Sequence, residues 1–190
     1  MTTPPPVQNK LFAAVDLETT GLDPKQNQII EIGIQIFDSE SLLDQFSMLI
    51  NPGFNVDLPA HITELTGITS ADLEDQPDIE TVVIDVTKLL EGKIIVGHNV
   101  GFDLNFLSAA GFELNNRAFD TWELAYVLDF DSPDYSLETL LSRHFSVQDH
   151  LKEARHESSQ RTGISTYRYP VHNCHRDVRV NPGKSDNSRK

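Results

Sequence analysis

Two carboxylates stand two residues apart in Asp16-Leu17-Glu18-Thr19-Thr20-Gly21-Leu22, where the apolar run Leu11 to Leu17 ends. Such a run reads as a buried strand. The period of two then puts Asp16 and Glu18 on one face and Leu17 on the other. Close carboxylates repel unless a cation lies between them, and an all-oxygen donor set suits a hard ion such as Mg²⁺ or Mn²⁺. The plainer reading is an acidic loop after a strand. A second candidate segment is His98-Asn99-Val100-Gly101-Phe102-Asp103. It follows the short apolar run Ile94 to Val96 and opens a helix, so Asp103 falls where the helix dipole favours an acid. The third is Asp120-Thr121, where the preferred reading is an Asp cap for the helix that follows.

The elements that must hold these residues can be read from hydrophobic period. Ile30, Ile32, Ile34 and Ile36 alternate with Glu31, Gly33, Gln35 and Phe37, a strand pattern rich in β-branched residues. Gly21-Leu22-Asp23-Pro24 is a turn between this strand and the first. Phe46 to Ile50 is a third strand, stopped by Asn51-Pro52-Gly53, and the short links suit an antiparallel meander. Ile79, Val82, Val83, Val86, Leu89 and Leu90 then fall on one helix face, with Pro77 or Asp78 as its start and Gly92 as its end. Beyond it come a strand at Ile94–Val96, a helix at Gly101–Ala110 and a last strand at Ala118–Thr121. Helices at Trp122–Leu128 and Ser136–His144 follow, Ser136 being an N-cap. Strands in a meander, then strands alternating with helices, indicate an α/β protein with a mixed sheet packed by helices.

Composition bounds the partners. The chain has 190 residues and a net charge of −14, with 29 acids against 15 bases. That excludes coating of duplex DNA by a broad basic face, which works by neutralising many phosphates. It leaves open a grip on a strand end through metal ions. One cysteine, Cys174, excludes a disulfide framework and a multi-cysteine zinc site. Met1 to Pro6 does not read as a signal peptide, and no apolar run has membrane-span length, so a cytoplasmic protein with no membrane role is expected. The charge is unevenly spread. Residues 1–156 carry 8 bases and 26 acids, and residues 157–190 carry 7 bases and 3 acids. Only seven of those last 34 residues are apolar, without a helical or strand period. The expected organisation is a disordered lead at 1–8, an acidic domain at 9–156, and a basic disordered tail at 157–190.

Taken together, Asp-x-Glu-Thr-Thr-Gly-Leu and, some 80 residues on, His-Asn-x-x-Phe-Asp resemble the DEDD (DnaQ-like) family of 3′–5′ exonucleases. That family includes the proofreading epsilon subunit of bacterial DNA polymerase III and exonuclease domains attached to helicases. Ile30-Glu31-Ile32-Gly33 and Leu65-Thr66-Gly67-Ile68-Thr69 also look like stretches of it, and the resemblance covers roughly residues 9–156. It implies a ribonuclease-H-like fold with a five-stranded mixed sheet flanked by helices. It also implies hydrolysis of phosphodiesters at DNA 3′ ends with two Mg²⁺ or Mn²⁺ ions about 4 Å apart. Asp16, Glu18 and Asp103 match the family's first three carboxylates. By resemblance Asp16 bridges the metals, Glu18 serves the water-activating ion, and Asp103 serves the leaving-group side. Thr19, Thr20 and Leu22 border the last nucleotide, with Leu22 as an apolar wedge, and Phe102 packs on a base or ribose. His98 and Asn99 shape the phosphate path. Core packing is the plainer reading of Leu22 and Phe102. The implied partners are single-stranded or frayed DNA 3′ ends and a DNA polymerase or helicase.

The third family motif, a His followed five residues later by an Asp, is incomplete. His156 stands where the general base is expected, but five residues beyond it is Arg161, which cannot bind a metal. His144 and Asp149 have the spacing, in surroundings that do not resemble the motif. The break coincides with the change in composition, so either the reading frame shifts after His156 or the chain is a variant that lost the motif. Impaired activity is therefore expected. The alternative function is a non-catalytic relative that binds nucleic-acid ends or a replication or repair partner.

Overall fold

In a computed structural model, which describes residues 10–53 and 58–144, the first apolar run forms β1 (Phe12–Thr19). The alternating isoleucines form β2 (Ile29–Phe37), and β3 is Leu42–Leu49. Helices α1 (Ala60–Thr66), α2 (Ser70–Leu73) and α3 (Ile79–Leu90) follow. Then come β4 (Ile94–Gly97), α4 (Gly101–Ala109), β5 (Ala118–Asp120), α5 (Thr121–Leu128) and α6 (Leu137–His144). The sheet order is β3-β2-β1-β4-β5, antiparallel across β3, β2 and β1 and parallel across β1, β4 and β5. The mixed five-stranded sheet and flanking helices are those expected from sequence. The tail at 157–190 and His156 lie outside the described residues, as do residues 1–8 and Asp149.

One face of the sheet carries the main core. Ala13, Val15 and Leu17 of β1 and Ile32, Ile34 and Ile36 of β2 are buried there against Val82, Val86 and Leu90 of α3 and Phe106 and Leu107 of α4. The α3 triplet has the i, i+4, i+8 spacing of a single helical stripe. Asp78 caps α3, its Oδ1 accepting from the Thr81 N–H at 3.0 Å.

The other face is split by a bulge. Glu18 pairs with Glu31 but Thr19 pairs with Ile29, so Ile30 is an extra residue in β2. An extra residue reverses which face the chain presents. Ile30 accordingly leaves the stripe of its neighbours and joins Leu58, Ile62, Ile68 and Leu73 in a second buried cluster around α1 and α2. The stretch Leu65 to Thr69 is the joint of that pair. Gly67 ends α1 at φ 77°, Ile68 is fully buried, and Thr69 and Asp72 cap α2 reciprocally.

The third strand begins at Leu42, four residues earlier than the apolar pattern indicates. As an edge strand it leaves Leu43 half exposed, so its first half shows no alternation. The Asp38 carboxylate fixes the preceding turn by accepting the N–H groups of Glu40 and Ser41.

Candidate functional site

The site lies where the sheet opens. β4 pairs with β1 only from Phe12 to Ala14, then turns into α4. Beyond Ala14, β1 loses its neighbour on that side and its polar backbone needs other partners. Asp103, in the first turn of α4, supplies one: its Oδ1 accepts the Leu17 N–H at 3.1 Å in a buried bond. The bond fixes the Asp103 carboxylate beside β1, between Asp16 and Glu18 in sequence register. Asp16 points to the exposed face and Leu17 into the core, as the period of two requires. Across from Asp16, in β2, stands Gly33, so no side chain rises beside the carboxylate.

Burial acts on all three carboxylates, and the charge of Asp16 acts on the other two. Desolvation by the surrounding protein raises the Asp16 pKa above its ordinary value. Glu18 is pushed up to about 7, first by desolvation and then by the charges of Asp16, Glu31 and Asp103. Asp103, only 7% exposed, is also pushed up to about 7. Desolvation leads there and Asp16 adds to it, while its own N–H and that of Leu17 act the opposite way. Glu18 and Asp103 thus hold their protons in part because of negative neighbours, the condition that a hard divalent cation relieves. The donor chemistry fits such an ion. The cage is not closed, since among the described residues no three His, Cys, Asp or Glu side chains are gathered tightly enough to hold a metal.

Glu31 was legible only as one of the polar positions of β2. It stands opposite Glu18 in the last regular pair before the bulge, is buried, and accepts a bond from the Ser47 hydroxyl at 2.9 Å. It therefore adds a fourth negative group to the wall of the site. Asp120 caps α5 through the Trp122 N–H at 2.8 Å, as expected. It also receives the N–H groups of Asn99 and Val100, at 2.9 and 3.1 Å, and so sets the turn into α4. Asn99 there has φ 61°, the left-handed region that asparagine tolerates better than most residues.

The remaining candidates divide. Leu22 is 84% exposed beside the site and packs in no core cluster, so its core reading fails. Phe102 is half-buried against Phe106, ring centroids 4.9 Å apart, and contributes to the core. The hydroxyls of Thr19 and Thr20 are engaged within the turn: Thr19 donates to the Gly21 carbonyl at 2.6 Å, and Thr20 accepts from the Gln28 N–H at 3.0 Å. His98 braces the fold, with Nε2 donating to the Tyr135 carbonyl at 2.8 Å and Nδ1 3.0 Å from the Thr121 hydroxyl. His144 faces Asp129 at 2.8 Å, together with Arg143.

Comparison with known proteins bears on what this arrangement does. The family model described as Exonuclease (RNase_T) matches residues 13–161. The chain is 34% identical over 159 residues to the 3′-5′ exonuclease DinG of Bacillus subtilis, covering 80% of this chain and 17% of that protein. It is 33% identical over 150 residues to the PolC-type DNA polymerase III of Caldanaerobacter subterraneus, covering 73% of this chain and 11% of that protein. The chain thus spans less than a fifth of the length of either relative. Among solved structures, Exonuclease X in complex with 5′ overhanging duplex DNA superposes with a TM-score of 0.59 at 27% identity, covering 72% of this chain and 75% of that one. The architecture is the ribonuclease-H-like α/β fold that the sequence resemblance implied. No helix among the described residues is long and apolar enough to cross a membrane.

Proposed function

This chain belongs to the Exonuclease (RNase_T) family, and from that premise we propose that it is a metal-dependent 3′–5′ exonuclease acting on single-stranded or frayed DNA ends. One observation supports the reading: where the sheet opens, the Asp103 carboxylate is held by the Leu17 N–H, between Asp16 and Glu18 in sequence, and the Asp16 charge raises the proton affinity of both Glu18 and Asp103. Two Mg²⁺ or Mn²⁺ ions bound there would activate the attacking water and neutralise the leaving 3′ oxygen. Asp16, on the central strand, would be the ligand shared by the two ions. Glu18, toward the turn, serves the water side. Asp103 serves the leaving-group side, its second oxygen being held by the Leu17 N–H.

The terminal nucleotide rests on the turn that follows β1. Leu22 offers the only large apolar side chain of that turn to solvent and wedges the last base. Thr19 and Thr20 keep the turn in shape through their internal bonds, and Phe102 forms the floor beside Asp103. His98 and Asn99 shape the phosphate path as framework, through the turn they form. His156 is the general base by its place in the sequence. The missing Asp at position 161 weakens the leaving-group side, so turnover is slow. The role calls for a cytoplasmic location, with a DNA polymerase or helicase as partner.

The test is a 5′-labelled single-stranded oligonucleotide incubated with Mn²⁺. Stepwise shortening from the 3′ end, absent in EDTA and in Asp16→Asn, is the expected result. If end binding occurs without turnover in any divalent ion, the chain is instead a non-catalytic end-binding relative.

A further inference from the structure

Helix α5 is apolar on two flanks, yet none of its residues is buried. A helix that is hydrophobic all round is expected to be covered. The flanks differ in kind. Leu124, Val127 and Leu128 make an aliphatic stripe, 40 to 73% exposed. Trp122 and Tyr126, 42 and 59% exposed, form the other flank and gather with Tyr135. Trp122 and Tyr126 lie nearly parallel, centroids 6.0 Å apart and 11° between planes. Tyr135 meets both edge-on, at 5.9 and 5.3 Å.

This aromatic cluster is anchored to the site. Trp122 follows directly on Asp120 and Thr121 at the end of β5. The Thr121 hydroxyl donates to the Gly97 carbonyl at 3.1 Å. The Tyr135 carbonyl takes the His98 Nε2 proton at 2.8 Å. The same Asp120 carboxylate that receives the Trp122 N–H receives those of Asn99 and Val100, which lead into the helix bearing Asp103. The rings are thus tied, through Asp120, Thr121 and His98, to the turn that leads into the helix bearing Asp103.

We infer that Trp122, Tyr126 and Tyr135 form a stacking platform for the bases of single-stranded DNA upstream of the 3′ nucleotide. The inference rests on the exonuclease reading and adds the path of the strand. Charge argues for contact through bases. Glu123 follows Trp122 and Asp134 precedes Tyr135 in the chain, and Arg143, the basic residue that feels the Tyr135 charge, is already paired with Asp129 and Asp131, so among the described residues it offers phosphates little. Exposed π-faces bind any base and need no positive charge. The aliphatic flank has no such faces. Binding held by stacking alone releases few counterions, and its affinity falls only shallowly with salt.

Trp122 is the chain's only tryptophan, so its fluorescence reports on the platform without labelling. In the full chain with EDTA, a twelve-nucleotide oligo(dT) should quench Trp122 emission, while thymidine monophosphate should not. Affinity should fall by less than about tenfold between 50 and 200 mM salt. Tyr126→Leu, which keeps the apolar contact but removes the π-face, should weaken binding by roughly tenfold, and Tyr126→Phe should restore it, both with unchanged far-UV circular dichroism. Asp16→Asn should leave quenching intact. Shortening of the oligonucleotide in Mn²⁺ without quenching would overturn the platform and leave the exonuclease reading standing. Quenching without shortening would do the reverse. Binding lost at 200 mM salt and indifferent to Tyr126→Leu would assign it to phosphate contacts and refute the platform. So would Trp122 emission that is blue-shifted and shielded from acrylamide in the free protein, because the platform is then covered by protein.

Discussion

In the absence of divalent ions, raising the pH from about 5 to about 8 should destabilise this protein. Glu18 and Asp103 titrate near 7 in the folded chain, against ordinary values of 4.5 and 3.8. A carboxylate whose folded pKa is raised keeps its full contribution to stability below the unfolded value. It loses that contribution as pH rises through the folded one. Each tenfold change in proton affinity is worth about 1.4 kcal/mol, so either group alone sets a ceiling of about 3 to 4 kcal/mol. The two share the repulsion of Asp16, and Glu18 is partly solvated. A combined loss of about 3 kcal/mol is therefore the realistic figure. At about 3 °C per kcal/mol for a domain of this size, Tm should fall by roughly 9 °C. Carboxylates with lowered pKa, such as Asp38, Asp72 and Asp78, act in the opposite sense, but mainly at or below pH 4 and so outside this window. The assay is urea or thermal unfolding in EDTA across the range, for the wild type and for Asp103→Asn. The variant should lose about half of the slope. A wild-type stability that stays flat or rises between pH 5 and 8 would refute the coupling described for the site, as would an unaltered slope in Asp103→Asn.

Gly33→Val should fold, because the added Cβ would lie 3.4 Å from the Asp16 carbonyl oxygen, an ordinary contact. Its side chain would stand beside the Asp16 carboxylate, so Mn²⁺ affinity by calorimetry should drop at least severalfold. Leu22→Ala should change stability by no more than about 0.5 kcal/mol, since the side chain is 84% exposed. In competition with blunt duplex ends, it should weaken 3′-end engagement by roughly tenfold, or about 1.4 kcal/mol. Replacing residues 157–190 with an amphipathic helix carrying Asp at position 161 should speed mononucleotide release by roughly tenfold or more. Equal rates would show that the family's third motif plays no part in this chain.

What could be read in the sequence was what depends on short-range period. The isoleucines of β2, the stripe of α3 and the placing of Asp16 and Glu18 on one face all follow from side-chain direction along a strand or helix. The cap role of Asp120 was legible because it stands at a strand-to-helix step. Its second role was not, since the Asn99 and Val100 N–H groups come from some 20 residues away in the chain. Helices α1 and α2 are short and give no sustained period, so Leu65 to Thr69 stood out only as a family-like stretch. Ile30 fits the alternation of β2, and only pairing with β1 reveals the bulge that turns it to the other face. The regular register with β1, up to the bulge, places Glu31 opposite Glu18, a neighbour that alternation alone assigns to the polar side without saying what it faces. The His98 ring was assigned to the phosphate path because of its place in a motif. Its partners, Thr121 and Tyr135, are 23 and 37 residues away.

The central claim is that Asp16, Glu18 and Asp103 together form a divalent-cation site, and direct titration with Mn²⁺ tests it. Calorimetry or electron paramagnetic resonance at about pH 6.5 should show saturable binding to the wild type, with proton release as Glu18 and Asp103 ionise. Asp16→Asn should bind at least about tenfold more weakly while keeping its far-UV spectrum. Equal Mn²⁺ affinity in the two proteins, or binding without proton uptake by the buffer, would contradict the account.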